Sequence, residues 1–262
     1  MKIAIIGAGA MGGAIAEGLI KGDYVENADI CVADPLRETR EKFSALGITA
    51  TPSNQLAAQG ADIVCVVVKP WLVEQVLTGL RDVLDYEHQT LVVVAAGVKS
   101  EDITTWLAKD GKMMPLFLCI PNIAVAELQG VSFLVACADA SAQQTEQVQA
   151  LFDSMGKTFI TDEQHLGAGT TLASCGIAYA MRYIRAAAEG GVELGFKADD
   201  AKRIVMQTMR GAVELLEASG MHPEAAIDLV TTPGGVTIKG LNEMEHAGFS
   251  SAVIRGLKAG AK

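Results

Sequence analysis

Several kinds of chemistry are excluded by what this chain lacks. Its 21 lysines and arginines are outnumbered by 31 aspartates and glutamates, and the basic residues form no cluster; the formal net charge is −10. So acidic a chain, without a basic stripe, does not suit nucleic acid or an anionic membrane surface as a general partner. An anionic ligand must then be held by local dipoles rather than by the overall field. No apolar run approaches the roughly 20 residues that span a bilayer; the strongest, residues 91–98, is far too short. Five cysteines (Cys31, Cys65, Cys119, Cys137 and Cys175) stand without CxxC or Cys/His metal spacing. Each sits among apolar or small residues, which predicts buried, reduced thiols and a cytoplasmic compartment. His88, His165, His222 and His246 have no acidic or cysteine partner at a useful spacing and are expected at the surface or as caps. No Ser/His/Asp set, metal cluster or carboxylate pair is evident.

What is present is apolar substance and glycine. Half of the 262 residues are hydrophobic, enough to core one large domain or two ordinary ones. Lys2-Ile3-Ala4-Ile5-Ile6 imitates the start of a signal peptide. It reads better as a strand buried on both faces of a parallel sheet. It runs into Gly7-Ala8-Gly9-Ala10-Met11-Gly12, a G-x-G-x-x-G that opens a helical stretch to about Lys21. In that setting Gly7 allows the tight turn, Gly9 lets a pyrophosphate approach the backbone, and Gly12 permits close helix–strand packing. The next strand, residues 29–33, ends at Asp34, about twenty residues after the glycines. An acid there accepts hydrogen bonds from ribose hydroxyls and leans toward NADH. Arg37 and Arg40 follow closely, and an arginine there can pair with a 2′-phosphate, so cofactor preference stays open.

Further alternation predicts a doubly wound sheet. Strands at 62–68, 90–94, 114–120 and 131–136 are interleaved with helices at 72–84 and 101–107. Ligands of such sheets collect at the carboxyl ends of the strands. That rule gathers Val68-Lys69-Pro70, Ala95-Ala96-Gly97 and Pro121-Asn122 around one crevice beside a nicotinamide. Lys69 is a candidate acid and equally a solvated residue whose backbone matters more. After about Thr161 the strand signals stop. We therefore divide the chain into residues 1–161 and residues 162–262, the second part all helical. Residues 167–194 form one long pattern, apolar nearly all round, expected to be buried against a second subunit. A second helix runs from Ala201 to about Ser219, with Asp200 as N-cap and Gly220 as C-cap; Pro223 opens a third.

Near the C-terminus, Thr231-Thr232-Pro233-Gly234-Gly235-Val236-Thr237 stands before another helical pattern. Such a turn can place several backbone N–H groups and two hydroxyls around one small anion, reinforced by the helix dipole. An ordinary helix start, with Thr232 as N-cap and Pro233 at the first helical position, accounts for Thr-Pro. It does not account for the following Gly-Gly, which weakens a first turn unless something must approach closely.

On these residues the chain resembles the pyrroline-5-carboxylate reductase family over nearly its full length. The resemblance is carried by the glycine motif, Val68-Lys69-Pro70, Ala95-Ala96-Gly97-Val98, Pro121-Asn122 and Ala178-Tyr179. Its most specific part is the tail from His222-Pro223 through Thr232–Thr237 to Glu245 and Gly248-Phe249. It implies a Rossmann-like N-terminal domain, an all-α C-terminal dimerisation domain and a homodimer, often assembled further. It implies NAD(P)H-dependent reduction of 1-pyrroline-5-carboxylate to L-proline, the last step of proline biosynthesis, with NADPH the family's expected cofactor. The cofactor would be held by Gly7, Gly9, Ala10, Met11, Gly12, Asp34, Arg37, Val68, Lys69, Pro70, Ala95, Ala96, Gly97, Pro121 and Asn122. The substrate carboxylate would sit on Thr232, Gly234, Gly235, Val236 and Thr237, near Cys175. Amides of Gly234, Gly235 and Thr237 would donate to it, with the Thr237 hydroxyl close to the ring nitrogen as the catalytic group.

Three departures stand out. Ile123-Ala124 replaces the family's Thr-Pro, Ala173–Tyr179 replaces Ser-Gly-Ser-Gly-Pro-Ala-Tyr, and Arg185 replaces a common glutamate. They bear on substrate identity and keep a related cyclic imine open, as well as a non-catalytic relative that retains only the cofactor cleft. A 3-hydroxyacid-type dehydrogenase shares the layout but needs a general base, commonly a lysine, on the first interdomain helix. Residues 172–194 contain none.

Overall fold

The computed structural model describes residues 1–109, 111–137 and 139–261. It divides into two compact units, Met1–Ser174 and a second beginning at Cys175. The first is organised on one eight-stranded sheet. Its strands are β1 (Ile3–Ile6), β2 (Ile30–Ala33), β3 (Thr49–Thr51), β4 (Ile63–Val66), β5 (Thr90–Val93), β6 (Leu116–Pro121), β7 (Gly130–Ala136) and β8 (Gly156–Ile160). They lie in the order β3-β2-β1-β4-β5-β6-β7-β8, every neighbouring pair parallel except β6 with β7. Ile5 stands beside Val32 on one side and Cys65 on the other. The chain order reverses between β1 and β4, the switch point where open α/β sheets bind ligands.

Helices cover both faces: α1 (Ala10–Gly22), α2 (Arg37–Ala45), α3 (Asn54–Ala58), α4 (Val73–Leu80), α5 (Ser100–Leu107) and α6 (Ala142–Asp153). The two-residue period of β1 divides its side chains between two cores. Ile3 and Ile5 pack with Ile15 and Leu19 of α1 and Phe152 of α6. Ala4 and Ile6 pack with Val73, Leu77 and Leu80 of α4 and Ile103 of α5. Each fully buried Ile or Leu contributes about 1.5–3 kcal/mol, so these two layers hold the cradle described below.

The predicted sheet and its helices are present, with ends shifted by a few residues. β3 and β8 are additions. β3 has three residues, and β8 leaves Phe159 and Ile160 exposed, so neither carries a buried apolar run that would announce it. The last strand ends at Ile160, where strand signals cease in the sequence. A short helix α7 (Leu166–Gly169) and a π-helical stretch, Thr170–Cys175, follow.

The second unit contains α8 (Gly176–Glu193), α9 (Ala198–Ser219), α10 (Pro223–Leu229), α11 (Val236–His246) and α12 (Phe249–Gly260). Gly191 of α8 brings α9 close, since a Cβ there would lie 2.9 Å from that of Ala201. Tyr183 meets Phe249 edge-on, ring centres 6.3 Å apart. Two expectations are corrected here. Residues 167–194 are interrupted by the π-helical stretch instead of forming one α-helix. α8 has no residue buried within its own chain, which leaves the expected burial against a second subunit untouched. The N-cap of α9 is Lys197, because Asp199 and Asp200 already lie in the first turn, where the dipole favours acids and Asp200 pairs with Arg203. Gly220 is the left-handed C-cap, and Pro223 opens α10 under the His222 cap, as expected.

Candidate active site: a glycine cradle and an amide turn

Because β1, β4, β5 and β6 run parallel, their carboxyl ends share one edge of the sheet. There Gly7 takes φ +92° and donates its N–H to Ala33 O at 2.8 Å. A Cβ at Gly7 would stand 2.5 Å from Val67 O, and one on Gly12 would collide with the Gly7 carbonyl oxygen. Gly9 is the opposite case: its missing Cβ faces open space, and Gly9 and Ala10 are exposed. Gly9 caps α1 without a side-chain partner, and no acid occupies the first turn. The leading amides of Ala10, Met11 and Gly12 therefore lack intrahelical acceptors at the positive end of the dipole. An uncovered, cation-like cradle floored by glycine fits a dinucleotide pyrophosphate. A cleft beside it is lined by Gly9, Ala10, Lys42, Phe43, Ile123 and Ala126, so the departure at Ile123 borders this loop.

The other predicted cofactor residues form a rim around this edge. Asp34 is buried; its Oδ2 accepts the Ala8 N–H and its Oδ1 the Leu36 N–H, both at 2.9 Å. Arg40 donates to the carbonyls of Asp34 and Pro35, while Arg37 pairs with Glu41 at 2.7 Å. Val67 N–H bonds Ile6 O, so the segment Val68-Lys69-Pro70 leaves the sheet directly beside the glycine loop. Lys69 is exposed and caps the short turn Pro70–Leu72, its carbonyl accepting Leu72 N–H. Ala95 is buried, Ala96 and Gly97 are exposed, and Gly97 takes φ +78°.

Pro121 and Asn122 do more than line a wall. Buried Asn122 accepts from the amides of Ala124 and Val131 and donates to Ala173 O at 3.3 Å, while Ser174 Oγ donates to Pro121 O at 3.3 Å. The π-helical stretch is thereby pinned to the end of β6. Glu163 likewise accepts from the Ser100 amide at 3.0 Å and its hydroxyl at 2.5 Å, anchoring the start of α5 just beyond Gly97. Ser174, Ser100 and Glu163 escaped the sequence reading. A π-helical frame and a contact between residues 63 positions apart leave no periodic trace.

In the second unit, Thr232-Pro233-Gly234-Gly235 is a β-turn closed by Gly235 N–H to Thr232 O at 3.0 Å, with Gly234 at φ +71°. Proline second and a positive-φ glycine third is the type II pattern. The turn precedes the helix, so Thr232 is not the N-cap. Gly235 is, without a side-chain partner and with no acid in the first turn of α11. The Gly235 amide is thus spent on the turn, which corrects the expectation that it donates to a ligand. A Cβ at Gly235 would collide with the Thr232 hydroxyl, so glycine is required there for another reason. The open donors are the amides at the head of α11, from Val236 and half-buried Thr237 onward. Cys175 closes the π-helical stretch, half-buried.

Burial pushes the Cys65 thiol up to about 12 and Cys137 to about 11, and raises Cys119 and Cys31 as well. Only Cys65 and Cys119 are fully buried, the other three being half-buried, but all five are free. The histidines do have acidic neighbours, contrary to the sequence reading: His88 with Asp85, His165 with Asp162, and His246 with Glu243. Each acid lies three residues before its histidine, and all these groups are exposed. They are surface pairs of small energetic weight. His222 caps α10 by accepting the Glu224 amide. Among the described residues no helix is long and apolar enough to cross a membrane.

Comparison with known proteins supplies independent findings. Residues 163–262 match the family model for pyrroline-5-carboxylate reductase dimerisation. Residues 2–97 match that for NADP oxidoreductase, coenzyme F420-dependent. A pyrroline-5-carboxylate reductase of Glycine max is 33% identical, the match covering 99% of this chain and 93% of that protein. Pyrroline-5-carboxylate reductase 1 of Dictyostelium discoideum is 36% identical over 97% of this chain, which spans about half (48%) of that longer relative. The crystal structure of 1-pyrroline-5-carboxylate reductase from Streptococcus pyogenes superposes with a TM-score of 0.84 at 32% identity, covering 100% of this chain and 98% of that one.

Proposed function

The chain belongs to the pyrroline-5-carboxylate reductase family, and from that premise we propose that it reduces the C=N bond of 1-pyrroline-5-carboxylate to give L-proline, the last step of proline biosynthesis, with NAD(P)H as reductant. The observation that carries this reading is the pair of uncapped, acid-free helix starts, each preceded by glycine: one in a dinucleotide cradle, one behind an amide turn. The amides of Ala10, Met11 and Gly12 receive the pyrophosphate, and Val68–Pro70, Ala95–Gly97 and Pro121-Asn122 border the nicotinamide. The bound nicotinamide supplies hydride. The Gly234, Val236 and Thr237 amides hold the substrate carboxylate, with Thr232 and Gly235 shaping the turn and Cys175 a small neighbour. The Thr237 hydroxyl hydrogen-bonds the ring nitrogen as it becomes an amine.

A protonated cyclic imine is already an electrophile, so holding it in line with the reductant supplies most of the acceleration. No general base is required, in keeping with the absence of lysine from residues 172–194. Ile123 at the edge of the cradle favours, as a second reading, a related cyclic imino acid as substrate. We assign residues 1–161 to cofactor binding and 162–262 to substrate binding and homodimer formation, with room for higher assembly; the end of β8 at Ile160 supports that boundary, while the compact sheet unit itself runs on to Ser174. The free thiols suit the cytoplasm. The test is a spectrophotometric assay of NADH and NADPH oxidation with pyrroline-5-carboxylate and with other cyclic imino acids. Stoichiometric formation of proline is expected; no oxidation of either cofactor with any imine would leave only a dinucleotide-binding protein.

A further inference from the structure

We propose that the first unit selects NADH over NADPH, and that the Asp34 carboxylate, locked at the end of β2, is the group that does so. The inference rests on the cofactor reading above. In glycine-cradle sheets the adenosine ribose lies at the end of the second strand, where an acid accepts from its hydroxyls. Here the acid is 6% exposed and cannot swing aside. One oxygen is fixed by the amide of Ala8, inside the glycine loop itself, the other by the amide of Leu36. Each carboxylate oxygen retains a lone pair for a ribose hydroxyl. A 2′-phosphate would instead meet a fixed negative charge.

The neighbouring cations do not offset that charge. Arg40 is turned back onto the carbonyls of Asp34 and Pro35. Lys42 is paired with Glu17 at 2.5 Å. Arg37 is the one basic side chain at the start of α2 that could swing toward a phosphate, and it lies with Glu41 at 2.7 Å on a strongly exposed surface beside Glu38. Every cation of α2 is thus matched by an acceptor, and the acids Glu17, Glu38 and Glu41 add to Asp34. The two arginines that left the preference open in the sequence are both engaged in the structure.

The test is direct titration of the protein with NADH and with NADPH by calorimetry, without any imine, so that it is independent of the substrate assignment. NADH is expected to bind at least about tenfold more tightly, a difference of 1.4 kcal/mol. Equal or tighter NADPH binding overturns the proposal, while binding of neither overturns the cofactor reading beneath it. Asp34→Asn, which keeps one acceptor oxygen, is expected to move the NADH/NADPH ratio about tenfold toward NADPH; an unchanged ratio counts against the assignment. Arg37→Ala is expected to change NADH and NADPH affinity by the same factor and so to leave their ratio unchanged. A selective loss of NADPH binding in that variant would show that Arg37 reads the phosphate and would overturn the proposal.

Discussion

In the sheet unit, Ile5, Ile15, Leu77, Val92 and Phe152 are sealed from water by helices on both faces, whereas in the helical unit Ala201 alone among the described residues reaches that state. Leu194, Leu215, Leu229 and Val236 are 83%, 66%, 72% and 85% exposed. The amphipathic logic is the same in both: an apolar stripe must be covered. The sheet does this within one chain, because every crossover helix returns to the surface it must shield. Five helices with no sheet leave many large apolar side chains exposed, and a contiguous surface of that kind marks an interaction face. The cofactor cradle is therefore a property of one chain, while the helical unit calls for a second copy to complete its core.

That contrast can be broken most severely at the cradle. Gly12→Ala sets a Cβ against the Gly7 carbonyl, and overpacking of this kind costs about 1–3 kcal/mol, occasionally more, so the melting temperature should fall by several degrees. Gly9→Ala meets nothing and should melt like wild type, yet lose cofactor affinity by at least about tenfold because the new methyl stands where the pyrophosphate must approach. Equal melting and binding in the two variants would mean that the cradle is not the one described.

The next largest effect is expected at the amide turn. Thr237→Ala removes a hydrogen bond to a charged ring nitrogen, worth about 1.5–3 kcal/mol, and should lower kcat/KM by about 10- to 100-fold. Cofactor affinity should stay within about twofold, because Thr237 has no part in the cradle. Charge placed on the exposed stripe, as in Met181→Glu (61% exposed) or Leu215→Glu, should weaken self-association by about tenfold or more in sedimentation. The sheet unit should keep its cofactor affinity in both. A chain that sediments as a monomer before any substitution would break the comparison itself.

The smallest effect concerns Asp162, whose carboxyl is held below the usual range by the His165 side chain and then by the His165 amide. A depressed folded pKa contributes stability above the unfolded value of about 3.9 that is lost as pH falls through the folded one. Asp162→Asn should therefore melt slightly below wild type at neutral pH and together with it in strong acid; a gap that widens on acidification would reverse the assigned sign.

Much of this was legible in the chain because it follows from local rules. The run Ile3–Ile6 feeding Gly7–Gly12 announces a strand, a cradle and a helix within a few residues; Gly7 and Gly12 sit where a Cβ would intrude, and at Gly9 it would face open space. Pro233-Gly234 announces its turn in the same way, although the sequence misplaced the cap by three residues and the Gly235 amide with it. What stayed hidden depends on distant partners. The histidine–acid pairs needed turn geometry, the Asn122–Ala173 and Ser100–Glu163 contacts join remote segments, and the fixing of Asp34 by Ala8 could not be read from either residue alone.

The central claim, that a short turn of free amides holds the substrate acid, is tested most directly by a crystal structure of the protein with proline and the oxidised cofactor. The account predicts the proline carboxylate on the amides of Gly234, Val236 and Thr237, with the ring nitrogen at the Thr237 hydroxyl. Proline bound elsewhere with those amides facing water would contradict it.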